Sequence, residues 1–304
     1  MAGMDELERK RLALRRELEV TGGLMVAFSG GADSSFLLAA AVQALGDRAV
    51  AATGVSPSLA ERELDDARAL AAELGVRHVV VRTHEQDRPG YLVNGPDRCY
   101  FCKSELFDVL APLARAEGLD LAVGTNVDDL GDWRPGQRAA RERGVRTPLV
   151  AAGFSKRDVR EASRRMGLRT HDKPAAACLA SRVAYGIQVT SARLSRVERA
   201  EALVRSLLTG ARLVPPEHPP VVPRTPPGSS PDPSGGLVQL RVRDHGDLAR
   251  VEVPVESLPV LVAPATRERL VEGLRELGFA YVTVDLEGFR SGSMNAGARP
   301  GGLR

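Results

Sequence analysis

Leu24-Met25-Val26-Ala27-Phe28-Ser29-Gly30-Gly31-Ala32-Asp33-Ser34-Ser35 reads as a buried strand, a glycine turn and a helix start in immediate succession. Five apolar residues without alternation suit a strand covered on both faces. Gly30 and Gly31 let the backbone turn tightly enough for its N–H groups to point at an anion, and a helix over 34–45 adds the positive end of its dipole. The stretch is expected to cradle phosphate. Two common nucleotide motifs are excluded by spacing: there is no G-x-G-x-x-G, and no lysine stands where G-x-x-x-x-G-K-[ST] requires one. The blander alternative is a strand-turn-helix corner with chance glycines.

Outside that stretch, composition sets the bounds. A chain of 304 residues exceeds one typical domain, so one large and one smaller domain are expected. A hydrophobic content of 43% supplies a core, and the apolar runs are far shorter than a membrane span. Residues 1–21 are dense in Glu and Arg, with Leu7, Leu12, Leu14 and Leu18 spaced as a helix face, and lack the apolar centre of a signal peptide. A soluble, cytoplasmic protein with no membrane partner is expected. The net charge of +3 neither demands nor excludes nucleic acid. With aromatics at 4% and no RNA-binding module legible, no nucleic-acid partner is expected. Three cysteines cannot build a disulfide framework, and in a reducing compartment they read as ligands or nucleophiles.

In chain order, strand and helix patterns alternate through the first half: strands over 49–55, 78–81 and 121–124, with helices over 58–74 and about 103–117. Ser58-Leu59-Ala60-Glu61 has the spacing of a capping box. This alternation implies an α/β fold with a parallel sheet, its functional loops at the carboxyl ends of the strands. Ser56, Gly124 and Asn126 fall at those ends and join Ser29, Gly30, Gly31, Asp33 and Ser34 as candidate nucleotide contacts. Ser155 is placed to cap a basic helix. A long helix over 191–208 follows. Residues 214–236 hold nine of the twenty prolines, which reads as a disordered insertion. Strands over 237–242 and 249–253, a helix over 266–277 and a strand over 281–286 suggest a small α+β C-terminal domain. The expected division is 1–190, a connecting helix 191–213, the insertion 214–236 and the small domain 237–304.

The S-G-G-x-D-S string resembles the loop of the PP-loop ATP pyrophosphatases, an adenine nucleotide alpha hydrolase-like fold, at Ser29, Gly30, Gly31, Asp33 and Ser34. Four further stretches narrow the resemblance: R-C-Y-F-C-K from Arg98, G-T-N-V-D-D from Gly124 with D-W-R-P-G from Asp132, K-P-A-A-A-C-L-A-S-R-V-A-Y-G from Lys173, and D-L-E-G-F-R-S-G-S-M-N from Asp285. Together they are similar to the LarE family over nearly the whole chain except the proline-rich insertion. The resemblance implies an ATP-dependent sulfur transferase that adenylylates the carboxylates of pyridinium-3,5-dicarboxylate mononucleotide. It then converts them to thiocarboxylates for a nickel-pincer nucleotide cofactor. A homo-oligomer is also expected. A PP-loop tRNA thiolase and a non-catalytic ATP-responsive iron–sulfur or zinc carrier are the competing readings.

The chemistry required is coherent. A carboxylate is a poor electrophile, so its activation by ATP needs the loop plus Mg2+ to offset charge on the departing pyrophosphate, with Asp33 the nearest carboxylate to share in holding the cation. A sulfur nucleophile must then attack, and Cys178 is the candidate. Its neighbours Lys173 and Arg182 would lower the thiol pKa if they face it. Two mechanisms stay open from the resemblance. Cys178 gives up its own sulfur and becomes dehydroalanine, or Cys99, Cys102 and Cys178 hold a [4Fe–4S] cluster whose open position carries an extra sulfide. Zinc with His171 as fourth ligand and a Cys99–Cys102 redox pair are further alternatives. Arg241 and Arg243 alternate onto one strand face and, with Ser181 and Arg290, are candidates for the substrate phosphate.

Overall fold

The computed structural model describes residues 5–131, 135–174, 177–211 and 239–290. The insertion at 214–236, Trp133, Ala175 with Ala176, and the end of the terminal motif from Ser291 lie outside the described residues. The chain divides into two compact units, Met1–Leu179 with Gln188–Thr190, and Ala180–Ile187 with Ser191–Arg304.

The first unit opens with α1 (Glu6–Glu19), β1 (Leu24–Ala27) and α2 (Ala32–Leu45), then β2 (Ala49–Val55), α3 (Glu61–Glu73) and β3 (Arg77–Arg82). It continues through the short α4 (Pro89–Leu92), α5 (Arg98–Ala116), β4 (Asp120–Ala122), α6 (Pro135–Glu142), α7 (Pro148–Ala151) and α8 (Lys156–Arg165). The four strands form one wholly parallel sheet in the order β3-β2-β1-β4. Because side chains alternate across a strand, β1 sends Leu24 and Val26 into a core packed with α1, α2, α7 and α8. Met25 goes instead into a second core with Phe107, Leu110 and Ala139 of α5 and α6. Both faces are buried, as the unbroken apolar run requires.

The strand order places β2 and β3 on one side of β1 and β4 on the other. The chain therefore reverses direction across the sheet between β1 and β4, which is where parallel sheets open a crevice at their carboxyl ends. At the N-terminus, Leu7, Leu14 and Leu18 are buried while Leu12 is 39% exposed, so the α1 stripe is narrower than the leucine spacing suggests. Ser155 does cap α8, with a full capping box to Asp158. Ser58 does not cap α3: the helix starts at Glu61 with Ala60 at its N-cap and no side-chain cap bond.

The second unit holds α9 (Ser191–Ala211), β5 (Arg241–Asp244), β6 (Leu248–Glu252), α10 (Leu258–Val262), α11 (Pro264–Glu276) and β7 (Tyr281–Val284). Its sheet runs β5-β6-β7, antiparallel between β5 and β6 and parallel between β6 and β7. Val242 and Val251 sit opposite one another and face a core completed by Val204, Leu270 and Leu274. By the same alternation Arg241, Arg243, Arg250 and Glu252 share the other face. No helix among the described residues is long and apolar enough to cross a membrane.

Candidate functional site

Gly30 makes the turn after β1 with φ +67, a conformation that costs little only for glycine. A Cβ on it would touch Ala67 of α3 at 3.4 Å. Phe28 extends the parallel ladder by donating its N–H to Ala52 at 2.8 Å, and Ser34 Oγ donates to the Gly31 carbonyl at 3.2 Å. Ser29 and Ser34 bring their hydroxyls within 3.3 Å of each other. Gly31 stands at the N-cap of α2, where no side chain caps the helix, so the first-turn N–H groups face the same crevice as the turn.

The loop after β4 closes on this turn. A Cβ at Gly124 would lie 2.8 Å from Ser34 N and 2.9 Å from Asp33 C; only a glycine lets the two backbones meet. Asn126 is wholly buried and donates from Nδ2 to Asp33 Oδ1 at 3.1 Å, while its Oδ1 accepts from Asp128 N at 3.1 Å. Asp129 accepts from Asn126 N at 3.2 Å and pairs with Lys156 at 3.2 Å. The acidic pair after Val127 thus shapes the loop that aims Asn126. The structure brings Ser29, Gly30, Gly31, Asp33, Ser34, Gly124 and Asn126 together. Ser56, at the end of β2, donates its hydroxyl to the buried Glu85.

The three cysteines also belong to the first unit. Cys99 and Cys102 stand one turn apart at the start of α5, so both point from one face of the helix. Cys99 and Cys178 are exposed by area and Cys102 partly so. The protein packed around the sulfurs raises the pKa of Cys99 and pushes Cys102 up to about 12, and a charge on Cys178 raises both further. Cys178 thus lies within electrostatic reach of both Cys99 and Cys102. A metal cation reverses these upward shifts by favouring thiolates, so the donors suit such a centre chemically. Among the described residues, however, no three His, Cys, Asp or Glu side chains converge on one metal position. Lys173 pairs with Glu63 and Asp66 of α3, each at 3.2 Å. His171 bonds the Leu168 carbonyl through Nδ1 at 3.0 Å.

The second unit holds the other candidates. Arg241 and Arg243 are buried, 8% and 5% exposed, contrary to the solvated strand face that is usual for such a pattern. Arg243 donates to Glu252 at 2.8 Å and to the Ser181 carbonyl at 3.1 Å, and Arg250 reaches the other Glu252 oxygen at 2.9 Å. Arg241 lies over the Phe289 ring at 5.0 Å, beside Arg290 in the chain. Arg290 itself is exposed and pairs with Glu287 at 2.5 Å. Arg182 is buried and forks onto Glu201 at 2.8 and 3.2 Å. Asp244, also wholly buried, takes Arg193 at 2.9 Å and Arg196 at 2.5 Å.

Sequence reasoning missed Glu85, Tyr91, Asp244 and Glu252. For Ser58 a signal existed but was read as a helix cap, whereas its hydroxyl pairs with Tyr91. No family model matches the chain. It is 42% identical over 95% of its length to an uncharacterized protein of Synechocystis, covering 98% of that protein. It is 34% identical over 96% of its length to the pyridinium-3,5-bisthiocarboxylic acid mononucleotide synthase of Lactiplantibacillus plantarum, covering 96% of that enzyme. An uncharacterized protein of Methanocaldococcus jannaschii is 25% identical over 88% of the chain and 91% of its own length.

Proposed function

The chain belongs to the LarE family, that of pyridinium-3,5-bisthiocarboxylic acid mononucleotide synthase, and from that premise we propose that it is an ATP-dependent sulfur transferase acting on carboxylates of a pyridinium mononucleotide. The observation that carries the reading is the meeting of two loops at the carboxyl edge of the parallel sheet. The Ser29–Ser34 turn supplies N–H groups and hydroxyls to phosphate, and Asn126 fixes the Asp33 carboxylate beside it. In this reading the first unit is a PP-loop domain. Asp33 would help to hold a Mg2+, which when bound would offset the charge on departing pyrophosphate. Asn126 holds that carboxylate in one rotamer, and Gly124 keeps the two loops in register.

For the sulfur step, Cys99, Cys102 and Cys178 would hold a [4Fe–4S] cluster, which when bound supplies an open position for an additional sulfide. Support comes from the spacing of Cys99 and Cys102 one turn apart on α5 and from the excess of cysteines over the one that a sacrificial route needs. The second reading, sacrifice of Cys178 itself, is favoured by its exposure and by the lack of a converged ligand set among the described residues. In the second unit, Ser181, Arg241 and Arg243 are assigned to the substrate phosphate, together with Arg290, which follows the Phe289 ring that Arg241 overlies. An oligomer of identical chains in the cytoplasm completes the proposal.

ATP–pyrophosphate exchange that depends on the dicarboxylated mononucleotide tests the function. Exchange driven by tRNA instead would favour the thiolase, and no exchange would favour a carrier. Intact mass after one turnover separates the sulfur routes. A mass lower by one hydrogen sulfide, with the change mapped to Cys178, marks sacrifice. An unchanged mass, with multiple turnovers on added sulfide and equal damage from Cys99→Ala and Cys178→Ala, marks the cluster.

A further inference from the structure

Glu85 is 2% exposed, and among the described residues no basic side chain pairs with it. A buried carboxylate without a counter-ion is costly unless hydrogen bonds satisfy it. Its two oxygens are satisfied by neutral hydroxyls: Oε1 accepts from Ser56 Oγ, and Oε2 from Thr83 Oγ1 at 3.0 Å. While donating its hydroxyl hydrogen bond to Glu85, Ser56 Oγ accepts one from the Ser58 N–H at 3.2 Å. Ser58 is then held at three points. Its N–H goes to Ser56, its hydroxyl pairs with the Tyr91 hydroxyl, and its carbonyl accepts the N–H of Leu179 at 2.9 Å.

Leu179 is the residue after Cys178, and it is 2% exposed while Cys178 is exposed. Tyr91 is 1% exposed, and its hydroxyl lies within electrostatic reach of Cys178, Glu85 and Cys102. One chain of bonds therefore runs from a buried carboxylate through the end of β2 to the backbone beside the sulfur.

We infer that Glu85, acting through Ser56, Ser58 and Tyr91, is a positioning residue that fixes the Cys178 segment against the end of β2. The inference rests on the proposed sulfur transfer. None of these four groups needs to touch the reacting atoms. Their task is to keep the thiol at one distance from the edge where the carboxylate is activated. The network explains why Ser58 is not used as a helix cap: its hydroxyl and carbonyl are both committed elsewhere.

The variants are Tyr91→Phe, which removes one hydroxyl from a packed ring, and Glu85→Gln, which keeps the shape and removes the charge. Three quantities are read on the full chain: nucleotide-dependent pyrophosphate exchange, sulfur transfer, and the rate of iodoacetamide alkylation at Cys178 relative to Cys99 by peptide mass spectrometry. Sulfur transfer should fall by about tenfold or more while exchange falls far less, since misplacing one reacting group penalises only the step that uses it. The Cys178 to Cys99 alkylation ratio should rise as the segment loosens. An unchanged alkylation ratio in both variants would overturn the inference. So would a parallel loss of exchange, transfer and thermal midpoint, which marks a merely structural role. Absence of exchange in the unmodified chain would refute the proposed function, yet the alkylation ratio would still decide the positioning.

Discussion

The two units build polar sites by opposite means. In the first, the turn after β1 is made of backbone: two glycines, an uncapped helix start, and a buried amide on one carboxylate, with Gly124 admitting a second backbone at 2.8 Å. In the second, the face of β5 and β6 is made of charge. Arg243, Arg250 and Glu252 interlock, and Asp244 and Glu201 hold three further arginines. A backbone site gives up little by staying empty, because its N–H groups meet water. A buried charged site must satisfy itself at every moment, so each arginine arrives already engaged. A phosphate entering the second unit would have to share or exchange charged partners, whereas one entering the first would meet backbone N–H groups and hydroxyls held only by neutral neighbours.

The largest effect should come from breaking that engagement. Arg243→Ala leaves the wholly buried Glu252 short of a partner and should cost about 3–5 kcal/mol, the usual result of removing one member of a buried pair. Urea unfolding measures it. A loss below about 1 kcal/mol, typical of exposed pairs, would mean the charged face is solvated and the contrast between the units false.

Asp33→Asn attacks the other region. Stability should hold, because Asp33 sits in the first turn of α2, but exchange should drop about a hundredfold or more as the charge proposed to face the metal and phosphates is lost. Pyrophosphate release at the unmodified rate would remove Asp33 from the chemistry. Smaller again is Arg241→Ala. If this arginine serves the substrate phosphate, it should weaken mononucleotide binding by about 1.5–3 kcal/mol and ATP binding much less. Equal weakening by calorimetry would assign it to the fold.

The same contrast governs what could be read beforehand. The β1 turn was legible because its geometry admits so few residue types that Ser29, Gly30, Gly31 and Asp33 spell it out. The parallel sheet was legible because strands buried on both faces lose their alternation, and the limits of β2 fell at 49–55 as expected. Arg241 and Arg243 gave no such signal: an arginine forking onto a buried glutamate and one waving in solvent look alike in sequence. Glu85 was hidden for the same reason, in a stretch with no periodicity. Ser58 was misleading, since a serine three residues before a glutamate fits a cap and a tertiary bond equally well. Local rules fail where distant residues claim the side chain.

The smallest expected effect is a slope, and it sharpens the comparison because each unit contains a histidine with a lowered pKa. His78, on β3, brings Nε2 to 2.8 Å from Thr53 Oγ1, and the Thr53 hydroxyl donates to the Phe28 carbonyl at 2.7 Å. Thr53 has spent its proton, so His78 must be the donor, and a neutral ring protonated at Nε2 suffices. Burial depresses the His78 pKa below its ordinary 6.5, and Arg68 adds to the effect. The fold therefore prefers the neutral ring. Its contribution to stability is complete above pH 6.5 and is lost as pH falls through the lower folded value, because the unfolded chain then binds the proton more readily. His245 has the same sign, from burial and Arg250 foremost, with Asp244 opposing. Unfolding free energy should thus decline on going from pH 7 towards pH 5. His78→Gln should flatten the decline without abolishing it, His245→Gln should remove the remainder, and NMR titration should place both midpoints below 6.5. Since Thr53 props the carbonyl just before Ser29, only the His78 substitution should also lower ATP affinity. A fall in ATP affinity from His245→Gln, or an unchanged slope in His78→Gln, would show that the prop beneath the turn is not what the depressed titration reports.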